Sequence, residues 1–237
     1  MFLPFSVKKI NNSVYHIKET FFSEAANMFL IKKSFSCLLI DCGIGLFNIK
    51  QFLNGLGFEN IKLFLTHSHF DHSGGIKFFE GKEIIIANKQ LFNNLKNKNL
   101  WAVEFLKPEL FSKSHIKDKT VKDFCKNFKI EVPLGLELYK KTIIHLGNHC
   151  FVIVGAPGHT DDSVILFDKN KKIIISGDAL YQGKPYFQMP NSNIVNFRNS
   201  LNMIKNINPD ICLAGHNKPL NKKEIKQTIH QWLLKIK

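Results

Sequence analysis

The residues best suited to chemistry stand close together. His67, His69, Asp71 and His72 fall within six positions of the stretch IKLFLTHSHFDHSGG, residues 61–75. Three imidazoles and a carboxylate form a donor set that suits zinc and does not exclude iron or manganese. His67 and His69 lie two apart, so in extended backbone both rings point to one side and reach one ion. Asp71 and His72 follow after a turn and face a second position beside it. Composition alone yields this pattern roughly once in a thousand such chains, so the motif carries weight. A divalent ion so held lowers the pKa of a bound water toward ~7 and polarises a carbonyl, and the chemistry expected is hydrolysis. No Ser-His-Asp arrangement stands out.

A buried strand ending in a loop is a rigid mount for such ligands. The apolar run Ile61–Leu65 predicts that strand, and Gly74-Gly75 closes the segment. Upstream, residues 6–18 alternate around the turn-prone Asn11-Asn12 and predict a hairpin or two short strands. Two further strands are expected at 27–31 and 36–40, the second ending in Asp41-Cys42-Gly43. Two roles fit Asp41: bracing the loop behind a metal centre, or capping the following helix. Helical periodicity over 46–56 stops at Gly57. A short helix at 76–79, a strand at 83–87 and a helix at 89–98 follow in the β-loop-α-β order of an α/β layered domain.

From 99 to 130 the pattern weakens. Trp101, Phe105, Leu106, Phe111 and Phe124 stand among lysines, and Pro108 breaks any continuous helix. This stretch reads as an insertion with a helix at 119–127, serving either as a substrate lid or as satellite packing. Short strands are expected at 142–146, 150–154, 163–167 and 172–175, then a helix at 194–206, a strand at 211–213 and an amphipathic helix from 222 to about 236. With no Gly-, Ser- or Pro-rich linker and no repeat, one domain over residues 1–237 is expected.

Three more candidates each sit just past a strand and just after a glycine: His159 in GAPGHTDDS, Asp178 in ISGDALY and His216 in AGHNKP. Strand ends converging on one edge are what a metal site at a sheet requires. A residue without Cβ at each approach lets the backbone turn close to the ion.

These motifs, THSHFDH at 66–72, GH at 158–159, GD at 177–178 and GH at 215–216, with Asp41 in an early Asp-x-Gly, resemble the metallo-β-lactamase superfamily in order over nearly the whole chain. The resemblance implies an α/β fold, a four-layer αβ/βα sandwich of two mixed β-sheets flanked by helices. It implies two divalent metal ions, zinc first, iron or manganese in some members. Carried over by position, His67, His69 and His159 hold the first ion, Asp71, His72 and His216 the second, and Asp178 bridges them. Asp71 would also orient the attacking hydroxide.

Within the superfamily, zinc β-lactamases that carry Arg after the motif Asp, and Cys in place of Asp178, do not match, so β-lactamase activity is not expected. The His72/Asp178 pair is similar to glyoxalase II, the acyl homoserine lactonases, small acyl thioesterases and the RNase Z branch. One helix's length of chain follows His216, short for the glutathione-binding helical domain of glyoxalase II. GDALYQGKPYFQMPNS resembles the small single-domain thioester hydrolases. Tyr181 matches a lactonase position that steadies an oxyanion, with packing as its other role. Lys184 is a candidate for pairing with a substrate carboxylate or phosphate, or a solvated lysine. The leading expectation is a small acyl thioester substrate. A lactonase or other ester or β-lactam hydrolase is the alternative, and a nuclease the third class.

Composition bounds the rest. The formal net charge is +14, with lysine spread along the chain. It reads as compositional bias or as a preference for anionic substrates, and no arginine-rich segment supports specific nucleic-acid readout. Five cysteines, an odd number without CxxC, predict reduced thiols in a cytoplasmic protein. The N-terminal stretch does not read as a signal peptide, and no run of 18 apolar residues predicts a membrane helix.

Overall fold

The computed structural model describes residues 2–112 and 116–236. These fall into two compact units, one running to Ile86 with Phe92–Glu137, the other Ala87–Leu91 with the chain from Leu138 onward. Each unit is built on its own six-stranded mixed sheet. The chain is therefore α/β, the class expected.

In the first unit, β1 (Phe5–Lys9), β2 (Val14–Glu19), β3 (Asn27–Lys33) and β4 (Ser36–Ile40) run antiparallel, joined by short turns. The Asn11 side chain accepts from the backbone N–H groups of Ser13 and Val14 at 2.9 and 3.0 Å, which makes the expected hairpin turn. β4 is buried along Cys37–Ile40 because it lies inside the sheet, and its apolar run shows no alternation for that reason. A parallel neighbour needs a crossover, which α1 (Ile49–Gly55) supplies before β5 (Ile61–Phe64). Asn48 caps α1 through Gln51 N–H, so Asp41 is not the helix cap. The sheet closes with β6 (Ile84–Ile85), parallel to β5 and shorter than expected.

The helix expected at 76–79 begins six residues earlier. Phe70–Ser73 forms α2, and a 3₁₀ turn follows over Gly74–Phe78. One helical turn is too short to leave an apolar period in sequence. The helix α3 (Lys89–Asn94) ends before the expected 98. The segment from 99 onward is a chain of single 3₁₀ turns leading to α4 (Asp118–Lys126), at the place where a helix is expected. Residues 113–115 of that insertion lie outside the described residues. Its aromatic side chains pack toward α2: the Phe128 ring is 6.1 Å from Phe70 and 6.4 Å from Trp101.

In the second unit, β7 (Ile143–Leu146), β8 (His149–Gly155), β9 (Val164–Asp168) and β10 (Ile173–Gly177) form an antiparallel meander. The long α5 (Ile194–Ile207) crosses over to β11 (Ile211–Ala214), parallel to β10. The short β12 (Leu220–Asn221) is not among the expected strands and leads into α6 (Lys222–Lys235) through a capping box of Asn221 and Glu224. Ile165, Ile174, Leu180, Phe197, Leu201 and Trp232 form the apolar centre. Among the described residues no helix is long and apolar enough to cross a membrane.

Candidate metal centre

Strand direction decides where the candidate ligands emerge. β4 and β5 are parallel, so Asp41 and the segment Thr66–His72 leave the first sheet at the same edge. In the second sheet β10 and β11 are parallel, and β8, two antiparallel steps from β10, runs the same way. The loops carrying His159, Asp178 and His216 therefore all leave at one edge, the carboxyl ends of those strands.

In the first unit the ring centroids of His67 and His69 are 4.7 Å apart, and those of His67 and His72 are 4.2 Å apart. The Asp71 carboxylate lies 3.8 Å from His72 Nε2. Asp71 and His72 occupy the first turn of α2, whose end is held by Ser73 Oγ, within reach of the Ser68 and His69 carbonyls at 3.0 and 2.9 Å. His67, His69, Asp71 and His72 are all buried.

Asp41 organises this group. It is 1% exposed and holds a left-handed backbone, φ 61°, which Asp tolerates better than most residues. Its Oδ1 accepts the Thr66 N–H at 2.8 Å, and its Oδ2 accepts the Thr66 hydroxyl at 2.8 Å and His72 Nδ1–H at 2.7 Å. These bonds bear on two tautomers. The Thr66 proton is committed to Asp41, so Thr66 Oγ1 accepts from His67 Nδ1 at 3.0 Å. This arrangement favours the proton on Nδ1 in both His67 and His72, the tautomer whose Nε2 can donate to a metal. The bracing role considered for Asp41 is the one the structure gives it.

The loop behind these residues is tight. A Cβ on Gly74 would meet the Ile44 carbonyl oxygen at 2.4 Å, and one on Gly75 the Cys42 oxygen at 2.3 Å. Beneath the same loop Glu19, 3% exposed, receives the Ile44 N–H on both carboxyl oxygens at 3.1 and 3.3 Å. Burial pushes the Glu19 carboxyl up to about 8, the Ile44 N–H opposes that, and the negative charge of Asp71 adds to it.

In the second unit Asp178 Oδ2 lies 3.5 Å from His159 Nε2 and 3.4 Å from His216 Nε2. Two donors bound at about 2.0–2.1 Å to one tetrahedral ion stand roughly 3.4 Å apart, so this spacing suits ligand atoms of a metal site. His159 Nδ1 donates to the Tyr186 carbonyl at 2.7 Å, which again leaves Nε2 for a metal. Gly158 is required where it stands: its φ is +141°, and a Cβ there would lie 2.2 Å from Phe197 Cα.

Each unit thus contributes buried His and Asp side chains of the kind that bind metal, and the rings of His67, His72 and His159 are each oriented by a hydrogen-bond partner behind them. Tyr181 and Lys184 lie on the segment that follows Asp178. Tyr181 is 4% exposed and donates its hydroxyl to the Lys184 carbonyl at 2.8 Å. Its ring lies 5.6 Å from His216 and 5.0 Å from Trp232. Lys184 is exposed, with Nζ 5.9 Å from the centroid of Tyr186. Sequence reasoning missed Thr66, Glu19 and Trp232. Only Thr66, beside the motif, left a local signal.

Fold and site define a class, the metal-dependent hydrolases with ligands carried on strand-end loops. The chain belongs to the metallo-β-lactamase superfamily, whose family profile matches residues 24–216. Among curated proteins it is similar to the acyl-coenzyme A thioesterase MBLAC2 of Gallus gallus, 28% identical over 204 residues, covering 81% of this chain and 72% of that protein. The Homo sapiens protein of the same name is 26% identical, with 80% and 71% covered. Among solved structures, a metallo-beta-lactamase family protein from Thermus thermophilus matches with a TM-score of 0.71 at 18% identity, covering 96% of this chain and 80% of that one.

Proposed function

We propose that this chain hydrolyses small acyl thioesters, in the manner of glyoxalase II and the acyl thioesterases, with two divalent metal ions, zinc first among them. The observation that carries the reading is Asp178 Oδ2, near-equidistant from the Nε2 atoms of His159 and His216. A carboxylate so placed is suited to bridging two ions, one beside each imidazole. In this reading His67, His69 and His159 would hold one ion and Asp71, His72 and His216 the other.

When bound, such ions supply Lewis acidity and a water of lowered pKa. The chain's own residues then do the following. Asp71 orients the nucleophile and takes up its proton. As the new C–O bond forms and the C–S bond breaks, the proton passes to the departing thiolate, giving acid and thiol. Asp41 and Thr66 keep His72 and His67 in the tautomer that donates through Nε2. Lys184, exposed beside the Asp178 loop, pairs with a carboxylate or phosphate on the substrate. The thioesterase names of the two MBLAC2 relatives support the substrate class. The lactonase alternative, in which Tyr181 would steady an oxyanion, differs in releasing no thiol.

The test is acid and thiol release by zinc-loaded protein on short and long acyl-CoA thioesters, S-lactoylglutathione and acyl lactones. Thioester turnover with stoichiometric thiol is expected, and Lys184→Ala should raise KM with kcat little changed. Lactone turnover alone, or silence at full metal occupancy, would overturn the reading.

A further inference from the structure

The segment after Asp178 is irregular: Gln182–Pro190 has neither helix nor strand, and Gln182, Gly183 and Lys184 are exposed. Its backbone is nevertheless held carbonyl by carbonyl. Gln182 O accepts from Asn217 Nδ2 at 2.6 Å and Gly183 O from Trp232 Nε1 at 3.0 Å. Lys184 O accepts from the Tyr181 hydroxyl at 2.8 Å and Tyr186 O from His159 Nδ1 at 2.7 Å. Side chains from separate elements thus do the work that a β-ladder does elsewhere. One of them is a candidate metal ligand, and Asn217 adjoins another.

Trp232, on α6, touches more of this arrangement than any hydrogen bond alone conveys. It is 1% exposed. Its indole stacks on Phe197, centroids 5.5 Å apart at 25°, and Phe197 is the residue against which Gly158 closes to deliver His159. Tyr181 meets it edge-on at 5.0 Å, and Tyr181 in turn faces the His216 ring at 5.6 Å. The indole N–H reaches outward to the Gly183 carbonyl, 49 positions away in the chain. A buried indole needs an acceptor for its one N–H, and here that acceptor lies in the same strap as the Tyr186 carbonyl that orients His159.

We infer that Trp232 is a positioning residue for the second unit's ligand set: it pins the 182–186 strap and so sets the carbonyl that orients His159 and the ring that faces His216. The inference rests on the metal-hydrolase reading above. Loss of the indole donor lets the strap shift, and the Tyr186 carbonyl no longer holds the His159 imidazole in place. Partners behind a metal-bound histidine are worth 10–100-fold in affinity, and Trp232 acts one step further back, so the lower end applies.

The experiment is chelator competition for zinc on the full chain, comparing wild type, Trp232→Phe and replacement of Trp232 by the sulfur isostere benzothienylalanine. The isostere keeps the bicyclic shape and removes only the N–H, so it carries the test if the phenylalanine variant fails to fold. A zinc Kd about tenfold weaker in the isostere, with native circular dichroism retained, is the expected result. A lowered Tm with wild-type zinc affinity would make Trp232 a core residue and overturn the inference. Failure of the wild type itself to bind zinc would instead overturn the reading beneath it.

Discussion

Asp41 Oδ2 lies 2.7 Å from His72 Nδ1, and both residues are buried. The same oxygen takes the Thr66 hydroxyl, so one carboxylate governs the proton placement of two imidazoles. Asp41→Asn tests this directly. Asn also tolerates left-handed backbone, so the loop is kept. Its amide end would present protons to His72 Nδ1 and drive the imidazole proton to Nε2, the wrong atom for a metal. Zinc affinity is expected to fall about 10–100-fold, read by chelator competition, with nitrogen NMR reporting the tautomer change.

Asp71 stands in the first turn of α2 with its carboxylate toward His72 Nε2. Asp71→Ala keeps a good helix former there, so the fold should survive while turnover drops at least about hundredfold. Thermal unfolding and thioester turnover, measured on one preparation, separate the two effects. Near-wild-type activity would place Asp71 outside the reacting centre.

Glu19 gives a pH dependence of stability. Its carboxyl moves from an ordinary 4.5 to about 8 on folding, chiefly through burial, so the folded state binds the proton more tightly than the unfolded state. The resulting stabilisation is complete below about pH 4.5 and fades as pH rises toward 8. Urea unfolding of metal-free protein should lose on the order of a few kcal/mol across that window. Glu19→Gln, which keeps an acceptor for Ile44 N–H and cannot ionise, should flatten the curve.

Gly158 should not tolerate a side chain. At φ +141° and with the Phe197 backbone 2.2 Å from the position of a Cβ, alanine forces α5 and the His159 loop apart. A loss of roughly 2–4 kcal/mol is expected from strain and overpacking together. The urea midpoint should fall with an unchanged slope, and zinc affinity with it.

The sequence by itself determined the ligand types, their order and most of the elements that carry them. His67, His69, Asp71 and His72 are local in the chain, and His159, Asp178 and His216 each follow a short apolar run and a glycine. A donor set and a strand are both written in neighbouring residues, so both are legible without coordinates. One turn of helix carrying Asp71 and His72 was not, because four residues leave no period. Tertiary structure alone decided which side chains stand behind the ligands. Asp41 and His72 are 31 positions apart, Glu19 and Ile44 25, and Gly183 and Trp232 49. Nothing in the local chemistry of a lone Glu or Trp distinguishes a core residue from one that aims a hydrogen bond at an active loop. The direction of the Tyr181 hydroxyl belongs to the same class: its position beside Asp178 was readable, but its partner was fixed only when the 182–186 strap folded over it.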